Sequence, residues 1–432
     1  MSLATRVLLG LVAGFALGLA LAGSSSPAAA ATLAIVAPIG TIFINLIRMT
    51  VIPLVASMLI ASVGSLAASG ALGRTGARAG LVAVALLAIA ALTTIVVAAP
   101  ILGRIQIDQQ AAMALRGPAP AAGATRGAEM SAGTMALAQW FIDLVPQNIV
   151  KAAADGAMLP VILFSILFGL AVARVSAERR EPVLRVAQGI ADAMQRLVAG
   201  ILGLAPIGVF ALAVPLASKL GLAAAAAVVA YVVLVVTLTI LLGALLLYPV
   251  GVVFGSMSPR AFISFCAPAQ AVAFASRSSL AALPAMVESA ERANMPPAVS
   301  RFIVPLAASV FRVGGAVAQP VGALFLARLY GIMLTPSQLA SVAFTVILTT
   351  FAVPGVPGGS IIAMVPVLAV VNLPIEGIGI LLAVDTIPDM FRTTANVTGS
   401  MTLAAVLRDG LQGRPLPNPP ESRFGEDRIA DR

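Results

Sequence analysis

Histidine is absent from this 432-residue chain, and cysteine occurs once, as Cys266. Without histidine the commonest metal ligand and the usual proton shuttle near neutral pH are gone. Neither a histidine-ligated zinc site nor a Ser-His-Asp triad can be built. One cysteine excludes an internal disulfide framework. Charge is scarce as well: Asp, Glu, Lys and Arg together make 10% of the residues, against about 25% in soluble domains. With 60% hydrophobic residues and a mean hydropathy of +1.05, a water-soluble enzyme, a disordered chain and a collagen are all excluded.

The charge that is present is lopsided. The net charge is +9, lysine occurs only as Lys151 and Lys219, and no acidic residue precedes Asp108. In a soluble protein such a balance would suggest nucleic acid. Here aromatics are only 5% and the arginines fall mostly in short segments between apolar runs. That distribution is the positive-inside pattern of a membrane protein, with no nucleic-acid partner.

A helix crosses the hydrocarbon core in about 20 residues. Residues 7–47 carry no charge, and Gly23-Ser-Ser-Ser-Pro27 interrupts them. They read as one span, a tight turn and the start of a second span reaching about Leu66. The apolar sequence continues past the first span, so the amino-terminal segment is retained rather than a cleaved signal. Residues 79–103 form a third span. The Ala/Gly/Pro-rich stretch at about 104–132 is a loop, and apolar sequence returns over about 133–175. A charged loop at 174–185 precedes spans at about 195–217 and 220–255. Arg6 and the loops at 74–78 and 174–185 all fall on the cytoplasmic side of a multi-pass protein in the cell's inner (plasma) membrane. The tail after 411, with Pro415 to Pro420 and then mixed charges, reads as disordered and cytoplasmic.

The carboxy-terminal third departs from simple spans. Residues 329–375 carry no charge but are interrupted by Pro354-Gly-Val-Pro-Gly-Gly-Ser360. Each arm is short of a crossing, and the freed backbone groups cannot be satisfied in lipid. A re-entrant hairpin buried in protein solves both problems. Residues 261–287 show the same design, with Ser276-Arg-Ser-Ser279 as the interruption. Apolar helices follow the two hairpins, at about 302–327 and 377–407. Paired broken segments of this kind point to a transporter's substrate site.

The last helix carries Asp385, Asp389, Arg392 and Asn396 at spacings of 4, 3 and 4, which puts them on one helical face. Three ionisable groups in the membrane cost roughly 8–10 kcal/mol on insertion scales before pairing. A structural Asp389–Arg392 pair offsets part of that. Two aspartates against one arginine still leave a charge over, which marks a site. The face suits a zwitterion with an acidic side chain. Asp389 can hold an ammonium, and Arg392 can grip a carboxylate through two parallel hydrogen bonds. Asn396 adds a neutral donor and acceptor, and the hairpin tips offer free backbone N–H groups.

These residues resemble the glutamate/aspartate transporter family, the dicarboxylate/amino acid:cation symporters. The resemblance runs through Phe43-Ile-Asn-Leu-Ile-Arg-Met-Thr-Val-Ile-Pro-Leu54, Leu72-Gly-Arg74, Leu144-Val-Pro-Gln-Asn148 with Leu159-Pro160, Ser276-Arg-Ser-Ser279 with Leu283-Pro284, and Gly355-Val-Pro-Gly-Gly359. It ends on Asp385…Asp389-Met-Phe-Arg-Thr393…Asn396-Val-Thr-Gly399. It implies an all-α polytopic membrane protein with eight transmembrane helices and two re-entrant helical hairpins. It implies a homotrimer in which each transport domain moves elevator-like against a scaffold. Residues 1–78 (spans 1–2) and 130–217 (spans 4–5) would form the scaffold. Residues 79–103 (span 3) and 220–410 (span 6 to span 8) would form the transport domain. Ser278, Ser279 and the backbone near Val356 and Gly359 would hold the substrate α-carboxylate. Asp389 and Asn396 would hold the amino group, Arg392 the side-chain carboxylate, and Thr393 would line the same pocket. The arginine favours aspartate or glutamate over neutral amino acids. The resemblance implies no cofactor.

Several positions depart from the family pattern. Its seventh span carries Asn-Met-Asp-Gly-Thr, whose Asn and Asp help ligate sodium; the stretch here is Phe311-Arg-Val-Gly-Gly315. The threonine that would touch substrate is Gly315. The last-span signature ends in Gly399-Ser400 instead of Gly-Asp, and polar third-span positions align with Ala83, Leu86 and Leu87. Ser309 remains, but the second-hairpin site sits beside Val353-Pro354. Sodium needs several oxygen ligands, so these losses argue against the family's usual coupling and leave no metal site. Arg312 stands mid-span where the family has a neutral residue. It reads as a built-in cation, with Asp385 as its nearest candidate anion, making substrate binding sodium-independent. Any coupled proton would ride on Asp385, Asp389 or the substrate. A salt-bridge-only role for Arg312 stays open. So do an uncoupled exchanger or facilitator and a C4-dicarboxylate carrier. A membrane enzyme lacks both histidine and a serine-rich motif beside either lysine.

Overall fold

The structure, a computed structural model, describes residues 3–22, 24, 26–68, 74–104, 142, 144–220, 222–297, 299–350 and 358–408. The Ala/Gly/Pro-rich loop, the centre of the second hairpin tip including Val356, and the tail after residue 410 lie outside the described residues. Secondary structure among the described residues is helical throughout.

The first helix, α1 (Leu3–Leu21), is followed by α2 (Pro27–Ala68) and α3 (Arg74–Gly103), as the uncharged runs predict, except that α3 begins within the stretch read as a basic loop at 74–78. Helix α2 has 42 residues with Pro38 and Pro53 inside it. At 1.5 Å per residue it is about 63 Å long. Among the described residues, four helices are long and apolar enough to cross a membrane, by length and composition, and a bent pair makes a fifth candidate.

That bent pair overturns one expectation. The span read at about 195–217 is two helices, α6 (Ala177–Gly203) and α7 (Ala205–Leu220), meeting at 58°. Gly203 and Pro206 flank the break. Proline removes a backbone donor and clashes with the preceding turn, so one straight helix cannot continue. The stretch read as a charged loop at 174–185 is corrected too: α6 begins at Ala177. Its Ala, Glu and Arg residues are good helix formers. Their charge keeps the turns out of hydrocarbon without keeping them from being helix. Arg180 Nη1 donates to the Ala173 carbonyl at 3.4 Å, capping the end of α5 (Met158–Ala173), which follows the short α4 (Ile149–Ala154).

Helix α1 packs along α7 through Gly10, Gly14 and Gly18. A Cβ at Gly14 would lie 2.7 Å from the Phe210 carbonyl oxygen and 2.8 Å from Ala213 Cβ. Small residues at intervals of four let two backbones approach this closely, which is how helices associate where no hydrophobic effect separates them from lipid.

Helix α8 (Leu222–Leu242) runs through a π-helical turn at Gly243–Leu247 into α9 (Tyr248–Phe254). The first hairpin is present: α10 (Pro259–Ser276) and α11 (Leu283–Arg292) flank a tip in which Arg277 takes the left-handed conformation, φ 54°. After a π-turn at Val299–Ile303, the helix read as 302–327 is divided. Helix α12 (Val304–Val310) ends at the extended Phe311, and α13 (Gly315–Leu329) starts beyond it. The Gly314-Gly315 pair carries a high entropy cost in a helix, and the sequence breaks there.

The second hairpin has α14 (Pro336–Thr350) as one arm, and α15 (Gly359–Ile362) and α16 (Val365–Val370) as the other. The last helix, read as 377–407, is also divided. A 3₁₀ turn at Ile375–Gly377 leads into α17 (Ile378–Val384), and α18 (Thr386–Leu407) follows Asp385. Pro388 cannot donate to the carbonyl of Val384, so the ladder opens beside Asp385. Helices α13 and α18 are buried along nearly their whole lengths. Around them pack α3, α8, α10 and α12.

Candidate functional site

The site is built where the extended turn Phe311–Gly314 meets α18 at Arg392 and Asn396. Their contact is backbone-close. A Cβ on Gly314 would lie 2.5 Å from the Arg392 carbonyl oxygen, so only glycine fits there. The Gly314 N–H, which has no helical partner at the break, donates to Asn396 Oδ1 at 2.7 Å. Asn396 is therefore a structural cap on the break between α12 and α13, and its amide NH₂ is what remains for a ligand.

Arg392 lies two turns into α18 and is wholly buried. Its guanidinium meets Asp385 edge to edge, Nη1 to Oδ1 at 2.5 Å and Nη2 to Oδ2 at 2.8 Å. The same Nη2 donates to Asp389 Oδ1 at 2.9 Å. One arginine thus holds both aspartates. Asp389 Oδ2 and Arg392 Nε are buried with no partner among the described residues.

This changes the expectation for Asp385. It is the main partner of Arg392 and not an unpaired charge waiting for Arg312. Arg312 is 3% exposed, and its Nη2 reaches only the Ser309 carbonyl, at 3.5 Å. Its Nε has no partner among the described residues. The acidic group that acts on it is Asp389. Helix spacing puts both aspartates on the face of Arg392 but cannot show which of them the arginine grips with both terminal nitrogens.

Other residues singled out by sequence lie as follows. Ser279 is buried, its Oγ without a partner among the described residues. Ser278 is half-buried, and its Oγ accepts from the Ala281 N–H at 3.2 Å. Gly359 is buried at the first turn of α15, behind Gly358 at φ 77°. Thr393 is buried beside Arg392. Val356 lies outside the described residues.

The positions that the family resemblance links to sodium are filled with carbon. Phe311, Val313, Ala83, Leu86 and Leu87 are all buried. The Phe311 ring and Val313 press against Gly399, where a Cβ would lie 2.8 Å from each. Ser400 turns back onto its own helix, donating to the Asn396 carbonyl at 3.0 Å.

Three features were missed in the sequence. Gln319 of α13 is fully buried; it donates to the Ser360 carbonyl at 3.3 Å and accepts from Thr349 Oγ1 at 3.2 Å, lacing the second hairpin to the divided span. Gln270 of α10 donates to Thr398 Oγ1 at 2.7 Å and to the Tyr248 hydroxyl at 3.0 Å, tying the first hairpin to α18. Tyr231 of α8 is fully buried against Phe325, ring centroids 5.1 Å apart. The scarcity of polar side chains in these apolar runs was the available signal.

Comparison with known proteins places this geometry. The profile of the Sodium:dicarboxylate symporter family matches residues 3–409. A proton/sodium-glutamate symport protein of Bacillus caldotenax is 30% identical over 415 residues, 95% of each chain. A proton/glutamate-aspartate symporter of Escherichia coli K12 is 31% identical over 407 residues, 94% of this chain and 92% of that one. A C4-dicarboxylate transport protein of Laribacter hongkongensis is 25% identical over 379 residues, 86% of this chain and 82% of its own.

Proposed function

This chain belongs to the Sodium:dicarboxylate symporter family and is a multi-pass membrane transporter rather than an enzyme; from that premise we propose that it carries acidic amino acids, aspartate or glutamate. Transport proceeds by an elevator movement of residues 79–103 and 220–410 against a scaffold of residues 1–78 and 130–217, in a homotrimer. The observation that carries this reading is the buried Arg392 fork beside Asp389, whose Oδ2 lacks a partner among the described residues. Arg392, whose Nε lacks a partner among the described residues, takes the side-chain carboxylate and Asp389 Oδ2 takes the ammonium. The Asn396 amide, Thr393, Ser278, Ser279 and the backbone near Val356 and Gly359 complete the pocket.

Charge counting supports independence from sodium. Asp385 and Asp389 oppose Arg392 and Arg312, so the core of the cluster is formally neutral with no inorganic ion. Arg277 at the hairpin tip adds one positive charge acting on Asp385. An acidic amino acid carries a net charge of −1 and restores balance; a C4-dicarboxylate at −2 overshoots it. Arg312 thus stands in for a bound cation, beside Asp389.

The test is a binding titration of L-aspartate, L-glutamate and succinate on purified protein, in sodium and in choline buffer, at two pH values. The reading requires an amino diacid to bind at least tenfold tighter than succinate, with affinity unchanged by sodium. Equal affinity for succinate would support the C4-dicarboxylate reading, and a strict sodium requirement would remove the surrogate role of Arg312. Uptake driven by a pH gradient, set against counterflow without one, separates proton coupling from exchange.

A further inference from the structure

Gly314, Gly315 and Gly399 lie around the break between α12 and α13, and Gly315 alone of these has no packing reason to be glycine. A Cβ on Gly314 would lie 2.5 Å from the Arg392 carbonyl oxygen, and one on Gly399 would lie 2.8 Å from both Phe311 and Val313. Gly315 is buried at the first turn of α13, and it is not among the glycines with positive φ. A Cβ there would meet only Gln319 Nε2 at 3.7 Å and Thr350 Oγ1 at 4.0 Å. Those are ordinary contacts, so a methyl would fit. Glycine is also a poorer helix former than alanine. The chain nevertheless leaves a buried hollow open at this point.

The hollow is polar, and its lining is oriented. Gln319 is fully buried. Its Oε1 accepts from Thr349 Oγ1 at 3.2 Å, and its Nε2 donates to the Ser360 carbonyl at 3.3 Å. A flipped amide would set oxygen against the Ser360 carbonyl, so the NH₂ end stays on the side of Ser360 and Gly315. An amide nitrogen carries two hydrogens. One goes to Ser360, and the second has no acceptor among the described residues. Thr350 Oγ1 donates to the Val346 carbonyl at 2.6 Å. A buried donor with nothing to donate to is costly, which points to a polar occupant.

The place of the hollow ties it to the substrate. Gly315 follows Gly314, whose backbone lies against Arg392. Thr350 ends α14, and Ser360 lies in the first turn of α15. The hollow therefore sits where both arms of the second hairpin meet α13. We propose that Gly315, Gln319 and Thr350 form a polar extension of the substrate pocket, which takes the distal carboxylate of an amino diacid one methylene longer than aspartate and so makes glutamate the preferred substrate. The inference rests on the reading above, in which an acidic amino acid binds between Asp389 and Arg392. A carboxylate has two oxygens and about four acceptor positions, so one that faces Arg392 still has room for the Gln319 N–H. Thr350 can turn its hydroxyl from Val346 to the same group. Aspartate falls short and leaves the Gln319 N–H idle. A site built to hydrogen-bond a substrate group discriminates against analogues that leave it unpaired. Only hydrogen bonds form or break.

The experiment titrates L-glutamate and L-aspartate into full-length purified wild type and G315A by calorimetry, and melts both proteins without ligand. Wild type should bind glutamate about tenfold or more tighter than aspartate. G315A lays a methyl over the Gln319 amide, so that preference should shrink about fivefold or more, chiefly through lost glutamate affinity. Without ligand, G315A should melt at or above the wild-type temperature, since the methyl fits. No glutamate preference in wild type, or an unchanged ratio in G315A, overturns the inference and leaves the transport reading intact. A lower melting temperature of G315A also overturns it, because the glycine would then be structural. Wild type that binds neither amino acid sinks both.

Discussion

Asp385 and Arg392 sit seven residues apart on either side of Pro388, two helical turns that bring both onto one face and let them meet. Asp385 lies at the junction of α17 and α18, where Pro388 opens the helical ladder. Its carboxylate faces the guanidinium with both oxygens, at 2.5 and 2.8 Å. A pair this well formed still pays heavily for leaving water.

Arg392→Ala should therefore damage both fold and function. Removing one partner strands two buried aspartates, an effect of about 3–5 kcal/mol for a buried pair, visible as a large fall in melting temperature in detergent. Acidic amino acid binding should drop by more than a hundredfold in calorimetry. Arg392→Lys should recover part of the stability and little of the affinity, because an ammonium is not a fork. Recovery of binding by lysine would refute bidentate recognition.

Arg312→Met tests the surrogate cation. It keeps length and volume while removing the charge beside Asp389. Binding of L-aspartate in choline buffer should weaken by about ten- to a hundredfold, the range for a buried charge-assisted interaction. Binding that survives unchanged would reduce Arg312 to packing.

Asn396→Ala removes the acceptor of the Gly314 N–H. A buried backbone donor left without a partner costs about 1–3 kcal/mol, so a lowered melting temperature is expected even without ligand. Were substrate-free stability unaffected, Asn396 would serve the ligand alone.

The helix interface offers a contrast that needs no ligand. Gly14→Ala drives a methyl into the Phe210 carbonyl and Ala213 and should destabilise by about 1–3 kcal/mol. Gly80→Ala meets nothing within 4 Å and should be neutral or stabilising by about 0.5–1 kcal/mol, the helix preference for alanine. Thermal unfolding of the two variants side by side decides it.

Much of this architecture was legible because lipid makes sequence blunt. The uncharged runs located α1, α2 and α3, and Ser276-Arg-Ser-Ser279 located the first hairpin tip. The 4, 3, 4 spacing brought Asp385, Asp389, Arg392 and Asn396 together. What stayed hidden was how partners divide. Periodicity puts these residues on one face but says nothing of partners, so it could not show Arg392 choosing Asp385, or Asn396 spending its oxygen on Gly314. The break between α12 and α13 was hidden for a related reason: its residues are apolar enough for a straight crossing, and only the paired glycines hint otherwise. Tyr231 was illegible in principle, since a buried tyrosine differs from any aromatic core residue only in what its hydroxyl fails to touch.

The length of α2 sets how the protein meets its bilayer. Its apolar stretch Pro27–Ser65 has 39 residues, about 58 Å of helix at the usual rise, against a hydrocarbon thickness of about 30 Å. Upright, it would push nearly half its greasy length into water. It must instead tilt, or bend at Pro38 or Pro53, to keep that length within the bilayer, more a girdle than a pillar. Thicker or thinner lipid would then turn that girdle, so bilayer composition acts as a lever on whatever the girdle braces.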